Sequence, residues 1–173
     1  HKIRQAAEIL IQSDHSEGSN EEINANNSGI EPRELTLAIE VAEDRRLQKV
    51  KQQFEEHPND PNLHFSLGFH HVRLGNYKKA ITAFAEAEEK GFDGWHLEYF
   101  EAIAHRELGQ YKEALDCIDI SIQSAPAEMA GNALYVKATI LLGSGNKDAA
   151  KELLPELRSH NINIQAIEAA LGR

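Results

Sequence analysis

The stretch LGNYKKAITAF, Leu74 to Phe84, returns thirty-four residues later as LGQYKEALDCI, Leu108 to Ile118. Gly75, Tyr77 and Ala80 map onto Gly109, Tyr111 and Ala114, and the flanks follow: Gly68 onto Ala102, His71 onto His105, Phe84 onto Ile118. A weaker third copy comes after a two-residue slip, with Gly145, Lys147 and Ala150 in the Gly109, Tyr111 and Ala114 places. In that copy Ala138 takes the Gly68 place and Leu154 the Phe84 place. A fixed period of this length marks stacked supersecondary units, none of which can bury its own apolar stripe alone.

Each copy divides into two helices. In the first, Asp60 is an N-cap and Pro61 fits the first helical position. Leu63, Leu67, His71 and Leu74 then recur on one helical face. Gly75 ends the helix, because glycine accepts the left-handed conformation of a C-cap. Asn76 stands to cap the second helix, whose inner stripe is Ala80, Phe84 and Ala87 and which runs to about Lys90. Gly91, Asp93 and Gly94 form a turn before Trp95. Copy two behaves alike and stops near Pro126. Small residues at Gly68 and Ala80 let two antiparallel helices approach closely, with Tyr77 and Phe84 filling the space beside them.

This pattern, a small residue early in the unit followed by Gly-x-Tyr-x-x-Ala, then Phe84 and Ala87, resembles the tetratricopeptide repeat. The resemblance covers about Asp60 to His160. It departs at Ser121, where the family has alanine, at Lys147 in place of tyrosine, and at Pro155. A proline inside a helix lacks an N–H and clashes with the preceding turn at a cost of ~3 kcal/mol or more, which predicts a kink or an early end there. The resemblance implies an all-α fold, a right-handed α-α superhelix or solenoid of about three helix pairs with N- and C-terminal capping helices.

The expected organisation is a short amphipathic helix over 1–11 and a disordered linker over 12–31. A capping helix follows over 32–58, with helix from Arg33 to Glu56 and Leu35, Ala38, Ala42, Val50 and Phe54 toward the array. The repeats occupy 59–94, 95–128 and a degenerate 129–160. A C-terminal capping helix spans 161–173, with Ile164, Ile167 and Leu171 inward. Ile3, Ala7, Leu10 and Ile11 make the amphipathic face of the first segment, read as docked on the array or frayed rather than as a tether. Residues 12–31 are polar, with scarcely a bulky apolar side chain. The triplet Asn26-Asn27-Ser28 is formally a glycosylation sequon.

The totals narrow the function. The chain has 173 residues with 41% apolar, 6% aromatic and a formal net charge of −10. That charge repels phosphate backbones, so nucleic acid is not an expected partner, and an apolar or basic protein surface is. The single cysteine, Cys117, excludes an internal disulfide and leaves the compartment, cytoplasmic or periplasmic, undecided. No apolar run is long enough to span a bilayer. The start at His1 reads as a trimmed or processed chain, with a signal peptide or membrane anchor upstream left open.

The sequence carries no catalytic or metal-binding motif. His64 and His71 share a helix face seven residues apart, His70 points elsewhere, and no HExxH or CxxC occurs. His71 and His105 hold equivalent repeat places and read as packing residues at the seam inside each pair. Cys117 reads as a buried, inert thiol. Glu86, Glu88 and Glu89 form a solvated helix face. No metal, cofactor or catalytic residue is expected.

The resemblance places function on the first helix of each pair, which lines a concave groove in the family. By register the groove receives Asn62, Phe65, Phe69, Val72 and Arg73 from copy one. Copy two gives His96, Tyr99, Ile103, Arg106 and Glu107, and copy three Asn132, Tyr135, Thr139 and Leu142. Phe65 and Phe69 serve equally as packing residues, and both readings stand. Some members grip an acidic chaperone tail with Lys and Asn, but Phe65 and Phe69 fill those places here and Asn132 fills that of a third-repeat Lys. The expectation is a non-catalytic adaptor or assembly factor that holds a partner peptide or helix. The alternatives are a homo-oligomer, formed by the array or the N-terminal helix, and a regulatory part of a larger enzyme or membrane-anchored protein.

Overall fold

A computed structural model describes residue 3, residues 5–8 and residues 31–172. Residues 31–172 hold nine helices and no strand: α1 (Pro32–Glu56), α2 (Pro61–Arg73), α3 (Tyr77–Glu89), α4 (His96–Glu107), α5 (Tyr111–Ser124), α6 (Ala127–Gly143), α7 (Lys147–Glu152), α8 (Leu154–Ser159) and α9 (Gln165–Ala170). Helices adjacent in sequence pack as antiparallel neighbours, α2 with α3, α4 with α5, and α6 with α7 and α8. The architecture is an all-α solenoid. No helix among the described residues is long and apolar enough to cross a membrane. The expected linker over 12–31 lies outside the described residues except for Glu31, and Leu10 and Ile11 also lie outside them.

Local signals set the hairpins. The Asp60 side chain accepts from the Asn62 N–H at 2.9 Å and starts α2. Gly75, Gly109 and Gly145 all take positive φ, at 71°, 73° and 84°. After each, the next amide closes a wide turn onto a carbonyl five residues back: Asn76 to His71, Gln110 to His105 and Asn146 to Leu141, at 2.8–2.9 Å. This is one Schellman-type stop repeated three times, so the third hairpin keeps the geometry although it has lost the tyrosine. Asn146 also caps α7, accepting from the Ala149 N–H at 3.3 Å. Asn76 holds the matching place before α3, but its side chain makes no capping bond. Near Pro155 the helix stops at Glu152 and restarts at Leu154, the interruption that a ring without an N–H imposes.

Three core clusters run along the array, and each is completed by the following unit. The first joins Ala80, Phe84 and Ala87 to Leu97 and Ala104 of α4. The second joins Ala102, Ala114 and Ile118 to Ala133, Val136 and Ile140 of α6. The third joins Leu134, Ala138, Leu154 and Leu157 to Ile164 and Ile167, so α9 and the residue before it close the last apolar face. Side-chain volumes are matched across each hairpin. A Cβ on Gly68 would overlap the ring of Phe84, which is fully buried. In the later pairs the facing residues shrink to Ile118 and Leu154, and the small partner grows to alanine, Ala102 and Ala138.

Gly68→Ala therefore carries opposing terms. Alanine in a helix gains about 0.5–1 kcal/mol over glycine, while overpacking against Phe84 costs about 1–3 kcal/mol. The variant is expected to be less stable by roughly 1 kcal/mol in urea unfolding, and Gly68→Ala with Phe84→Leu to show favourable coupling in a double-mutant cycle.

At the N-terminal end α1 covers the first pair. Leu47 and Val50 are buried, and Phe54 sets its ring edge-on to His64 with centroids 4.8 Å apart. His64 is buried beneath, with its ring nitrogens 3.0 Å from Glu86 Oε2 and 2.8 Å from the Pro58 carbonyl. Ala38 and Ala42 do not face the array as expected. They pack instead on Ala6 and Ala7, with Ile3 beside them, and residues 5–8 are helical. Short side chains on both sides permit that close approach.

The strongest polar link between α1 and α2 is Glu43, whose side chain is 0% exposed. His70 lies 2.9 Å from one carboxylate oxygen, while Arg73, at 3.0 Å, and Arg46 donate to the other. Burial pushes the Glu43 carboxyl upward. The His70 hydrogen bond and the charges of Arg73 and Arg46 outweigh that push and hold it below its ordinary range.

Candidate functional site

The turn Gly91–Gly94 delivers Trp95 and His96 to the start of α4, opposite the middle of α2. Aromatic side chains gather there. Phe65 stacks on Phe92 with centroids 4.6 Å apart at an interplanar angle of 6°, and His96 meets it edge-on at 4.6 Å. Phe69 and Phe100 make an edge contact at 4.9 Å. Tyr99 lies edge-on to Phe100 at 5.2 Å and to Trp95 at 6.1 Å. Together Phe65, Phe69, Trp95, His96, Tyr99 and Phe100, with Met129 from α6, line an open pocket of about 490 Å³ whose walls are almost wholly apolar.

The titratable groups in the wall suit that character. Burial lowers the His96 pKa below its ordinary value, which favours the neutral ring. Burial raises that of Tyr99, with Arg106 partly opposing it, so the phenol stays protonated. The pocket thus offers π-faces and edges, one phenol and one thioether, and no charged group among its lining residues. Such a surface desolvates an apolar or aromatic side chain.

The sequence-predicted groove residues divide into three groups. Phe65, Phe69, His96 and Tyr99 come together in the pocket. Ile103 and Tyr135 are half-buried against the second and third cores, with Val72 against the first and Leu142 against the third. The remaining polar residues have partners within the chain. Arg106 donates to Thr139 Oγ1 at 2.7 Å and to Glu107, and so ties α4 to α6. Arg73 pairs with Glu43 and sits 5.6 Å above the Phe69 ring, joining α1 to the pocket edge. Asn62 bonds Asp60, and Asn132 lies 4.0 Å from the Met129 sulfur.

Trp95, Phe100 and Met129 were not anticipated. Phe100 falls one place beyond the groove register at Tyr99, and the contact with Phe69 turns it into the pocket. Trp95 belongs to the turn, outside any helical stripe. Met129 lies a turn earlier on α6 than the register of the third copy indicates. The aromatic cluster Trp95-His96-Leu97-Glu98-Tyr99-Phe100 was the available signal.

A second cluster lies inside the α4–α5 pair. Glu101, His105 and Cys117 bring one ligating atom each to within 4.8 Å of one another. The i, i+4 spacing of Glu101 and His105 is visible in the sequence. The approach of Cys117 follows only from the antiparallel hairpin.

No family model matches the chain. Superkiller protein 3 of Schizosaccharomyces pombe is 33% identical over 61 residues, which is 35% of this chain and 4% of that much longer protein. Among solved structures, one titled MamA MSR-1 C2 superposes with a TM-score of 0.55 at 17% identity, covering 92% of this chain and 90% of that one. This likeness is one of fold.

Proposed function

We propose that this chain, an array of tetratricopeptide-type repeats, is a non-catalytic protein-interaction module that captures a partner segment in its concave face. The observation that carries the reading is the open apolar pocket of about 490 Å³ formed by six aromatic side chains and Met129. Its walls come from α2, the turn before α4, α4 itself and α6, so its shape depends on the stacking of successive pairs. The bound segment presents one aromatic or long aliphatic side chain to the pocket. The net charge of −10 favours lysine or arginine on either side of that anchor. Arg106 and Arg73 act as struts that fix the pocket walls, rather than as direct contacts.

A displayed peptide library panned on the full chain tests this. Enriched peptides are expected to share an apolar anchor flanked by basic residues. Trp95 is the chain's single tryptophan, so its emission is expected to move to shorter wavelength as the anchor excludes water. Tyr99→Ala is expected to weaken the selected peptides by roughly 30-fold, the effect of a hot-spot residue worth about 2 kcal/mol. Peptides bound equally well by folded Tyr99→Ala and Phe69→Ala variants would put recognition on another surface.

A further inference from the structure

The second cluster, away from the pocket and unused by the reading above, has the donor set of a metal site. Glu101 and His105 stand one turn apart on α4, with His105 Nε2 3.8 Å from Glu101 Oε1. Cys117 reaches them from α5. His105 Nδ1 lies 2.9 Å from Gln110 Oε1, an amide oxygen that only accepts. The tautomer that donates Nδ1–H to that oxygen leaves Nε2, on the side of Glu101 and Cys117, free to bind a metal. A carbonyl that fixes the tautomer of a ligating imidazole is the usual outer support of such a site.

A second observation points to a cation. Glu98, one turn before Glu101 on the same helix, has a buried Oε2 with no hydrogen-bond partner. Its charge acts on both Glu101 and Cys117, and Glu88 and Asp116 add more of the same sign. No lysine or arginine forms an ion pair with Glu98 or Glu101 among the described residues. Negative charge is concentrated here in a half-buried place without a fixed positive partner.

We infer that Glu101, His105 and Cys117 form a binding site for a divalent metal of the zinc type. Imidazole nitrogen with thiolate sulfur selects a borderline ion over the hard calcium and magnesium ions. Bonds of about 2.0–2.3 Å place tetrahedral ligands roughly 3.3–3.7 Å apart. The 3.8 Å edge already approaches that range, and closing the widest separation of 4.8 Å takes small side-chain rotations. Binding replaces the thiol proton, which leaves to solvent, and turns Cys117 into a thiolate ligand. Three protein donors leave a fourth position for water. The bound ion would clamp the two helices of the central repeat.

Cobalt(II), added to the reduced full-length chain, is the probe. One equivalent is expected to give a thiolate-to-cobalt charge-transfer band with intense tetrahedral ligand-field bands, and zinc(II) to displace it. Cys117→Ser is expected to abolish the charge-transfer band. Gln110→Ala, at an exposed position whose loss leaves the cores intact, is expected to weaken cobalt binding about 10–100-fold. With nine histidines in the chain, weak binding elsewhere is distinguished by its lack of a sulfur band. Saturating cobalt without a charge-transfer band, or affinity unchanged in Gln110→Ala, would overturn the assignment.

Discussion

Phe84→Ala is expected to cost about 3–5 kcal/mol, the range for removing a fully buried aromatic ring. At roughly 2–4 °C per kcal/mol for a chain of this size, the melting temperature falls by roughly 6–20 °C. The ring is the largest fully buried side chain of the described residues, and its space cannot collapse easily. Gly68, on the facing helix, has no side chain to move inward, and Ala80 and Ala87 are nearly as small. The loss also spreads along the chain. Leu97 and Ala104 of α4 belong to the same cluster, so the seam between first and second pairs weakens with it. Hydrogen exchange is expected to lose protection first in α2 and α3, while α6 to α9, held by a separate cluster, stay protected. Uniform loss of protection across the chain would mean that the array unfolds as one unit.

Glu43→Ala is expected to destabilise the protein by about 3 kcal/mol, the lower end for breaking a buried charge cluster. The corresponding fall in melting temperature is roughly 6–12 °C. The lower end applies because the groups left behind, Arg46, His70 and Arg73, all reach solvent in part. The pH dependence has a defined sign. The folded carboxyl lies below its ordinary 4.5, so its contribution is complete above that pH and is lost as pH falls through the folded value. Wild type and Glu43→Ala should therefore converge in stability on the acid side and differ most near neutrality. Curves that remain parallel through acid pH would assign the loss to packing alone. Arg73 links this cluster to the Phe69 ring, so the variant also tests whether the pocket edge depends on α1.

Much of the fold is legible in the sequence because its determinants are local and repeated. Gly75, Gly109 and Gly145 specify three identical turns, Asp60 specifies a cap, and Pro155 specifies a break. The matched pairs Gly68 with Phe84 and Ala102 with Ile118 appear as one period. Ala38 and Ala42 misled because a helical stripe shows that a face is apolar without showing which neighbour covers it. The pocket is half legible for a related reason. Register identifies side chains that project at fixed repeat positions, which finds Phe65, Phe69, His96 and Tyr99. It cannot find Trp95, placed by a turn, or Phe100, redirected by an aromatic contact. Arg106 exposes another limit, since its groove position is legible in the sequence while its tie to Thr139 is seen only in the fold. The Glu101, His105 and Cys117 cluster needs the hairpin to be folded in space before its members meet.

The reciprocal sizing of the residues that face one another inside each hairpin bears on how such a protein diversifies. Although the three units share a motif, they are not interchangeable bricks. A chimera that grafts the first helix of the second unit onto the second helix of the first would set Ala102 against Phe84 and jam. The opposite graft would set Gly68 against Ile118 and leave a hole. Whole hairpins can be shuffled with their internal fit intact, whereas crossovers within a hairpin cannot, so recombination points should fall between pairs.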